Sequence, residues 1–461
     1  MTSRLFYLLL AVVWMHIGAQ EVPKPLPSVD DQLVRRFGLA LEAVFGVGIR
    51  LQAFLQDDKN DNFLVSPISA TVVIGQLILG AEGEFRRQLV DLLALPNSHL
   101  YENDRIETYS NKTNVSCVLP YSTLHVQLSG LLKALESNPA STKQFILKQK
   151  SAAFVDSSVV VKETFQKYLR IFYDARVRIV DFKNNPVKTM RVINSWVSKN
   201  TNGLIKTVLA GPPAPTTASI FTNAVYFKAM WETPFSDVLN RRGHFNVSAT
   251  KQVSVTYMIN LMEQIFYAET ADYRMIALPY TNEELSMYIM LPKPNHQYKY
   301  DMKNFVQTLK SREILETIAK GRRHDVMVKL PKMTLSNTFS ILDQLKKYRV
   351  FKKHHIVVNS TNAVDKLEDK VDAFANFTTG EQGDILLTNA AKENLRVDDI
   401  VQQVVIAVNE VGTEAAAVSV STIDYMGGSK NFRIERPFVF FIRHEATSAT
   451  LFWGTVSNPA P

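Results

Sequence analysis

The chain has 461 residues, of which 46% are hydrophobic and 21% charged, and its formal net charge is +8. That length and apolar share suffice for a large buried core and exclude disorder as the overall state. The basic excess is modest and mostly scattered, and in an exported chain it excludes nucleic acid as the expected partner.

The N-terminus reads as an export signal: Arg4, an apolar run over 5–15, then Gly18 and Ala19 before polar Gln20 and Glu21. Cleavage is expected after Ala19, which makes 1–19 a signal peptide and 20–461 one domain, since no Gly/Ser-rich or Pro-rich linker divides it. The run is shorter than the roughly 20 residues that span a bilayer, and no later stretch is long and apolar enough. The expected product is therefore secreted and extracellular, with no membrane partner.

Phe37, Leu41, Val44, Phe45, Leu51 and Phe54 fall at helical spacing and predict a long amphipathic helix over 33–55. A second helix follows, with Ser66 as its N-cap, Pro67 at the first helical position and Gly80 and Gly83 at its exit. Residues 97–120 are polar and aperiodic, as expected of a surface insert. This insert holds Cys117, the one cysteine, expected as an exposed and unpaired thiol. It also holds the glycan acceptor sequences at Asn111 and Asn114; three more begin at Asn246, Asn359 and Asn376.

Val192, Ile193, Trp196 and Val197 predict one apolar stripe on a further helix. Strand character then dominates at 218–227, 278–280, 288–291, 326–331, 400–411, 438–443 and 450–456. Between these strands lies a dense basic run, Lys346, Lys347, Arg349, Lys352 and Lys353, which reads either as a solvated helix end or as a site for a sulfated glycan or other polyanion. Residues 352–390 form a second enlarged excursion. Helices early and strands late predict a mixed α+β single domain.

Enzyme signatures are absent: no G-x-S-x-G, H-E-x-x-H, G-x-G-x-x-G or phosphate-binding loop occurs. The nine histidines are dispersed except for His354 and His355, which would point to opposite faces of a strand, so neither metal nor cofactor is expected.

The informative stretch runs over 409–432, where strand-like segments flank a long connection of small, uncharged residues. Extended, Thr413, Ala415, Ala417, Ser419 and Ser421 would share one face, and Glu414, Ala416, Val418 and Val420 the other, so one face could enter a sheet with little conflict, although composition alone favours a mobile loop of low complexity.

Residues 409–417, Asn-Glu-Val-Gly-Thr-Glu-Ala-Ala-Ala, closely resemble the hinge of inhibitory serpins. Asn-Phe-Leu-Val-Ser-Pro-Ile-Ser at 62–69 is similar to that family's second helix, and Ile-Asn-Ser-Trp-Val at 193–197 with Thr-Asn-Gly-Leu-Ile at 201–205 to its central helix. Asn-Ala-Val-Tyr-Phe-Lys at 223–228, ending at Trp231, is similar to a central strand, and Pro-Phe-Val-Phe at 437–440 to the strand after the reactive loop. These blocks keep family order over about 35–459, and the two inserts resemble those of secreted insect haemolymph serpins.

The resemblance implies one serpin domain with three β-sheets, about nine helices and an exposed reactive-centre loop over about 410–432. It implies a monomeric suicide substrate of a serine protease, not an enzyme: the attacked loop is trapped as an acyl-enzyme and inserts into the main sheet. The hinge would comprise Glu410, Gly412, Thr413, Glu414, Ala415, Ala416 and Ala417. Counting seventeen residues from Glu410 places the scissile bond at Met426-Gly427, with Tyr425 and Lys430 as alternative points. Methionine suits an apolar primary pocket of the chymotrypsin or elastase type. Ser66, Ser69 and Asn223 match the family's polar cluster beneath the main sheet and Trp231 the tryptophan at the loop's entry, while Gln402 replaces a usual histidine. The alternative is a non-inhibitory serpin, serving as carrier, chaperone or storage protein.

Overall fold

A computed structural model of the chain describes residues 31–56, 62–81, 86, 89–90, 92–93, 123–136, 145–203, 205–340, 342, 385–387, 390–391, 395–413 and 429–460. The expected signal peptide, Cys117, the candidate acceptor asparagines 111, 114, 359 and 376, the basic run and residues 414–428 lie outside these.

The first helix, α1 (Asp31–Leu55), buries Phe37, Val44, Phe45 and Leu51, with Leu41 partly covered. Strand β1 (Phe63–Val65) leads into α2 (Pro67–Gly80), every residue of which is buried. Such a helix is mostly apolar on every side because it has no solvent face, with Ser69, Thr71 and Gln76 as its buried polar residues. Its Gly75 is compulsory, since a Cβ there would collide with the Tyr173 hydroxyl. Ser66 occupies the N-cap position but its side chain makes no capping bond; the hydroxyl donates instead to Leu451 O at 2.8 Å.

Next come α3 (Thr123–Glu136), β2 (Phe145–Asp156), α4 (Glu163–Tyr173), β3 (Arg176–Val180) and α5 (Pro186–Asn200). In α5 the inward stripe is Thr189, Ile193 and Val197, with Trp196 partly covered. Val192, expected in that stripe, is 42% exposed, because one residue rotates the helix by about 100°. The remaining elements are β4 (Ser219–Met230), β5 (Arg241–Asn246), β6 (Gln252–Glu269), β7 (Tyr273–Pro279), β8 (Leu285–Pro292), α6 (Met302–Thr308), α7 (Ser311–Lys320), β9 (Arg322–Pro331) and β10 (Met333–Ser340). After them come β11 (Ile385–Leu387), β12 (Leu395–Val397), β13 (Asp399–Val408), β14 (Gly412–Thr413), β15 (Lys430–Arg433), β16 (Phe438–His444) and β17 (Ala449–Val456).

Among the described residues these strands form three sheets. One has nine strands in the order β1-β17-β16-β8-β7-β6-β9-β15, with β5 on β6; the second has six, β10-β13-β14-β4-β2-β3; the third is the β11-β12 pair. Seven α-helices lie among the described residues, fewer than the nine or so that the resemblance implied. The main core fills the space between the two large sheets around α2, and a smaller cluster of Phe154, Phe182, Ile193, Val197, Ile220 and Val401 seats α5 on the opposite face of the six-stranded sheet.

Candidate functional site

In the six-stranded sheet β13 and β4 run parallel, but they pair directly only from Asp399 opposite Ile220 to Gln403 opposite Ala224. Beyond that the two strands admit another between them. Gly412 and Thr413 already stand there as β14, antiparallel to both neighbours: Thr413 is opposite Val408 on one side and Ala229 on the other, and Gly412 is opposite Met230. Gly412 has φ +151, and a Cβ on it would run into the backbone of Ala229 and Met230. Only glycine turns the chain into the sheet at this point.

The turn before it is tightly held. The Asn409 side-chain oxygen accepts from the backbone N–H groups of Val411 (3.1 Å) and Gly412 (3.2 Å). Trp231 donates through Nε1 to Asn409 O at 2.9 Å and through its backbone N–H to Val411 O at 2.8 Å, and its ring stacks on Tyr280 at 4.5 Å. Trp231 thus holds the turn that leads into β14. The buried carboxylate of Glu410 accepts from Lys332 Nζ at 2.9 and 3.0 Å and from Asn240 Nδ2 at 2.7 Å. Burial alone pushes this carboxyl's pKa up, but the bonds from Lys332, the backbone and Asn240 outweigh it and hold the pKa below the ordinary glutamate value.

Ser66, Ser69, Asn223 and Gln402 come together beneath the parallel ladder. Gln402 is fully buried; its Nε2 donates to Ser69 Oγ at 2.8 Å and its Oε1 accepts from the Ser66 backbone N–H at 3.3 Å. Asn223 donates through Nδ2 to Ser151 Oγ at 3.1 Å and to Ser69 O at 3.3 Å. Glutamine here both donates and accepts, while the Asn223 side-chain oxygen in the same cluster is buried without a hydrogen-bond partner. Ser151, Lys332 and Asn240 belong to the site but carry no signal in the sequence: each is an ordinary polar residue brought in by a remote strand or turn.

The remaining hinge residues Glu414, Ala415, Ala416 and Ala417, and the bond at Met426-Gly427 with its alternative Tyr425, lie outside the described residues. Lys430 opens β15 and is exposed. The side chain of Asn246, a glycan acceptor candidate, is engaged: Nδ2 donates to Glu435 O at 3.0 Å and Oδ1 accepts from Gln252 at 2.8 Å.

Residues 43–459 match the family model described as Serpin (serine protease inhibitor). An uncharacterised serpin-like protein of Thermococcus kodakarensis is 29% identical over 409 residues, covering 87% of this chain and 82% of that one. Intracellular coagulation inhibitor 1 of Tachypleus tridentatus is 28% identical over 405 residues, covering 87% and 85%. Human thyroxine-binding globulin, solved in complex with thyroxine, shares the fold with a TM-score of 0.71 at 19% identity, over 93% of this chain and all of that one. With the hinge glycine turning into a sheet above a buried polar cluster, and a family match running through both, the chain belongs to the serpin family of protease inhibitors.

Proposed function

We propose that this serpin is a secreted inhibitor of serine proteases with an apolar primary pocket, and that it acts as a suicide substrate cleaved at Met426-Gly427. The observation that carries the reading is the register of β14. Thr413 meets Val408 and Ala229, and each step onward along the loop is one step back along both neighbours. A strand growing in that register sets Ser419 between Gln402 and Asn223 and Thr422 between Asp399 and Ile220, where the parallel ladder ends. Met426 lies four residues beyond, just past the sheet, as a bond cut before insertion requires.

The inserted strand would exchange the short parallel ladder for two antiparallel ones. A net gain of roughly a dozen ladder bonds at about 0.5–1.5 kcal/mol each is on the order of 10 kcal/mol, enough to deform an active site still acylated by the loop. Thr413, Ala415, Ala417, Ser419 and Ser421 fall opposite core-facing residues of β4 and β13 such as Val225, Ala229, Val404 and Val408, which explains why that face is small and uncharged.

The test is incubation of the purified protein with chymotrypsin, elastase and trypsin, read as an SDS-stable covalent complex, with N-terminal sequencing of the released fragment. A complex with the first two and a new start at Gly427 are expected. Cleavage with turnover by every protease would make the protein a non-inhibitory member of the family. The accompanying proposal of a polyanion at Lys346, Lys347, Arg349, Lys352 and Lys353 is checked by retention on immobilised heparin, which replacing these five residues should abolish.

A further inference from the structure

The seam between β13 and β4 has a built lower end. One step below the pair Asp399 and Ile220, the Asp398 carboxylate accepts through Oδ2 from the backbone N–H groups of Ala218 at 2.6 Å and Ser219 at 3.2 Å. The Asp398 backbone N–H donates to Ser219 O at 3.0 Å. Asp398 Oδ1 accepts from Arg396 Nε at 2.8 Å, and Arg396 donates through Nη2 to Thr216 O. The buried Ser219 closes the ring by donating its hydroxyl to Arg396 O at 2.7 Å.

Both sides of this clasp are fixed from behind. Asp398 follows directly on β12, whose Leu395 and Val397 are buried in the main core and pair with β11. On the other side, Ser219 stands opposite Val155 of β2, and Ala218 O accepts from the Asp156 backbone N–H at 2.9 Å. A strand can lengthen only where its neighbours offer free backbone groups, because a buried N–H or C=O left unpaired is costly. Ser219 offers none toward the seam: its N–H and its C=O are both engaged with Asp398.

The register set by β14 brings residue 422 level with Asp399 and Ile220, so residue 423 would need the two groups of Ser219 that Asp398 already holds. We propose that Asp398 is a positioning residue that ends strand insertion at 422. The proposal rests on the insertion mechanism proposed above, and it fixes a length that the mechanism leaves open. Residues 423–426, at most about 14 Å of chain, remain between the last inserted residue and the acyl bond. Without the clasp Ser219 is free to pair, and the strand takes in Ile423 and Asp424, leaving half of that tether.

The test uses the full chain nicked in the loop by thermolysin, a metalloprotease that attacks with water, forms no acyl-enzyme and so is not trapped. The form cut beyond Asp424 is selected by mass. Amide exchange read by mass spectrometry on overlapping fragments should show 414–422 protected and 423–424 open in the parent. Asp398→Ala should slow exchange at 423–424 by at least about ten-fold, whereas Asp398→Asn, which keeps an oxygen for Ala218 and Ser219, should hold the parent's boundary. In the uncut protein, Asp398→Ala should speed exchange at 218–219 and leave 221–229 unchanged; speeding spread evenly along β4 would mean general loosening and overturn the proposal. A boundary that stays in Asp398→Ala, or that moves equally in Asp398→Asn, also overturns the stop while leaving insertion standing. No protection over 414–422 in the nicked parent overturns the insertion reading and the stop with it.

Discussion

Gln402 and Asn223 are register partners across the parallel seam between β13 and β4, and both send their amides toward Ser69. The seam is therefore fastened by side chains as well as by its ladder. Gln402→Ala strands the Ser66 N–H and the Ser69 hydroxyl in a dry interior. A loss of about 1–3 kcal/mol is expected, measured as a lower urea midpoint with an unchanged slope. A midpoint equal to the parent's would show that the cluster is not a fastening.

The hinge anchor gives a second expectation. Lys332→Ala leaves the Glu410 carboxylate buried with Asn240 as its remaining side-chain donor, at a cost of about 1–3 kcal/mol near neutral pH. The Glu410 pKa is depressed in the folded state, so its contribution is present above the ordinary glutamate range and is lost only as pH falls through the lower folded value. The destabilisation by Lys332→Ala should thus shrink on acidification, which thermal melts at neutral and strongly acid pH would reveal.

Thr413→Arg separates cleavage from trapping. Position 413 already pairs with Val408 and Ala229, each about 1% exposed, so a guanidinium there would crowd the β14 start from which, on the proposed mechanism, the rest of the loop inserts. Cleavage at Met426 should persist while the SDS-stable complex falls at least about ten-fold. Trapping at the parent's level would contradict insertion in this register.

Two buried histidines set an acid limit. Burial, with a lesser push from nearby arginines, lowers the pKa of His125 to about 3 and that of His444 to about 4. Both stay neutral in the folded protein while the unfolded chain protonates below the ordinary 6.5, so stability falls as pH drops from there toward 4. Each contributes up to about 1.4 kcal/mol per pH unit. His444→Gln should flatten the dependence of the urea midpoint on pH over that window.

Periodicity made α1 legible, and the Ser66-Pro67 start with the glycines at its exit made α2 legible, whereas the hinge reading came from the resemblance of 409–417 and not from composition. Where expectation failed, the local signal was real but tertiary structure redirected it. Ser66 had the right chemistry for a cap, yet in a helix with no solvent face its hydroxyl found Leu451 O. Val192 neighbours Ile193 in sequence but not on the helix face. The site's other members were out of reach for a different reason: Asn240 lies 170 residues from Glu410, Lys332 lies 78 away, and Ser151 is 72 from Asn223. Pairing over such distances follows from strand order, which no window of sequence displays.

The antiparallel start made by Gly412 and Thr413 also turns the length of the loop into information. With Thr413 held opposite Ala229, parity decides which side chains of the inserted strand meet the core. On the proposed insertion, adding one residue between 413 and 418 would exchange the two faces beyond it, sending Val418 and Val420 into slots shaped for serine and taking Ser419 away from Gln402 and Asn223. The same addition after 422 would leave the faces untouched and shift only the bond presented to the protease. On the proposed insertion, the segment next to the hinge should therefore tolerate substitution by small residues but not a change of length, whereas a change of length next to Met426 should move only the bond that is cut.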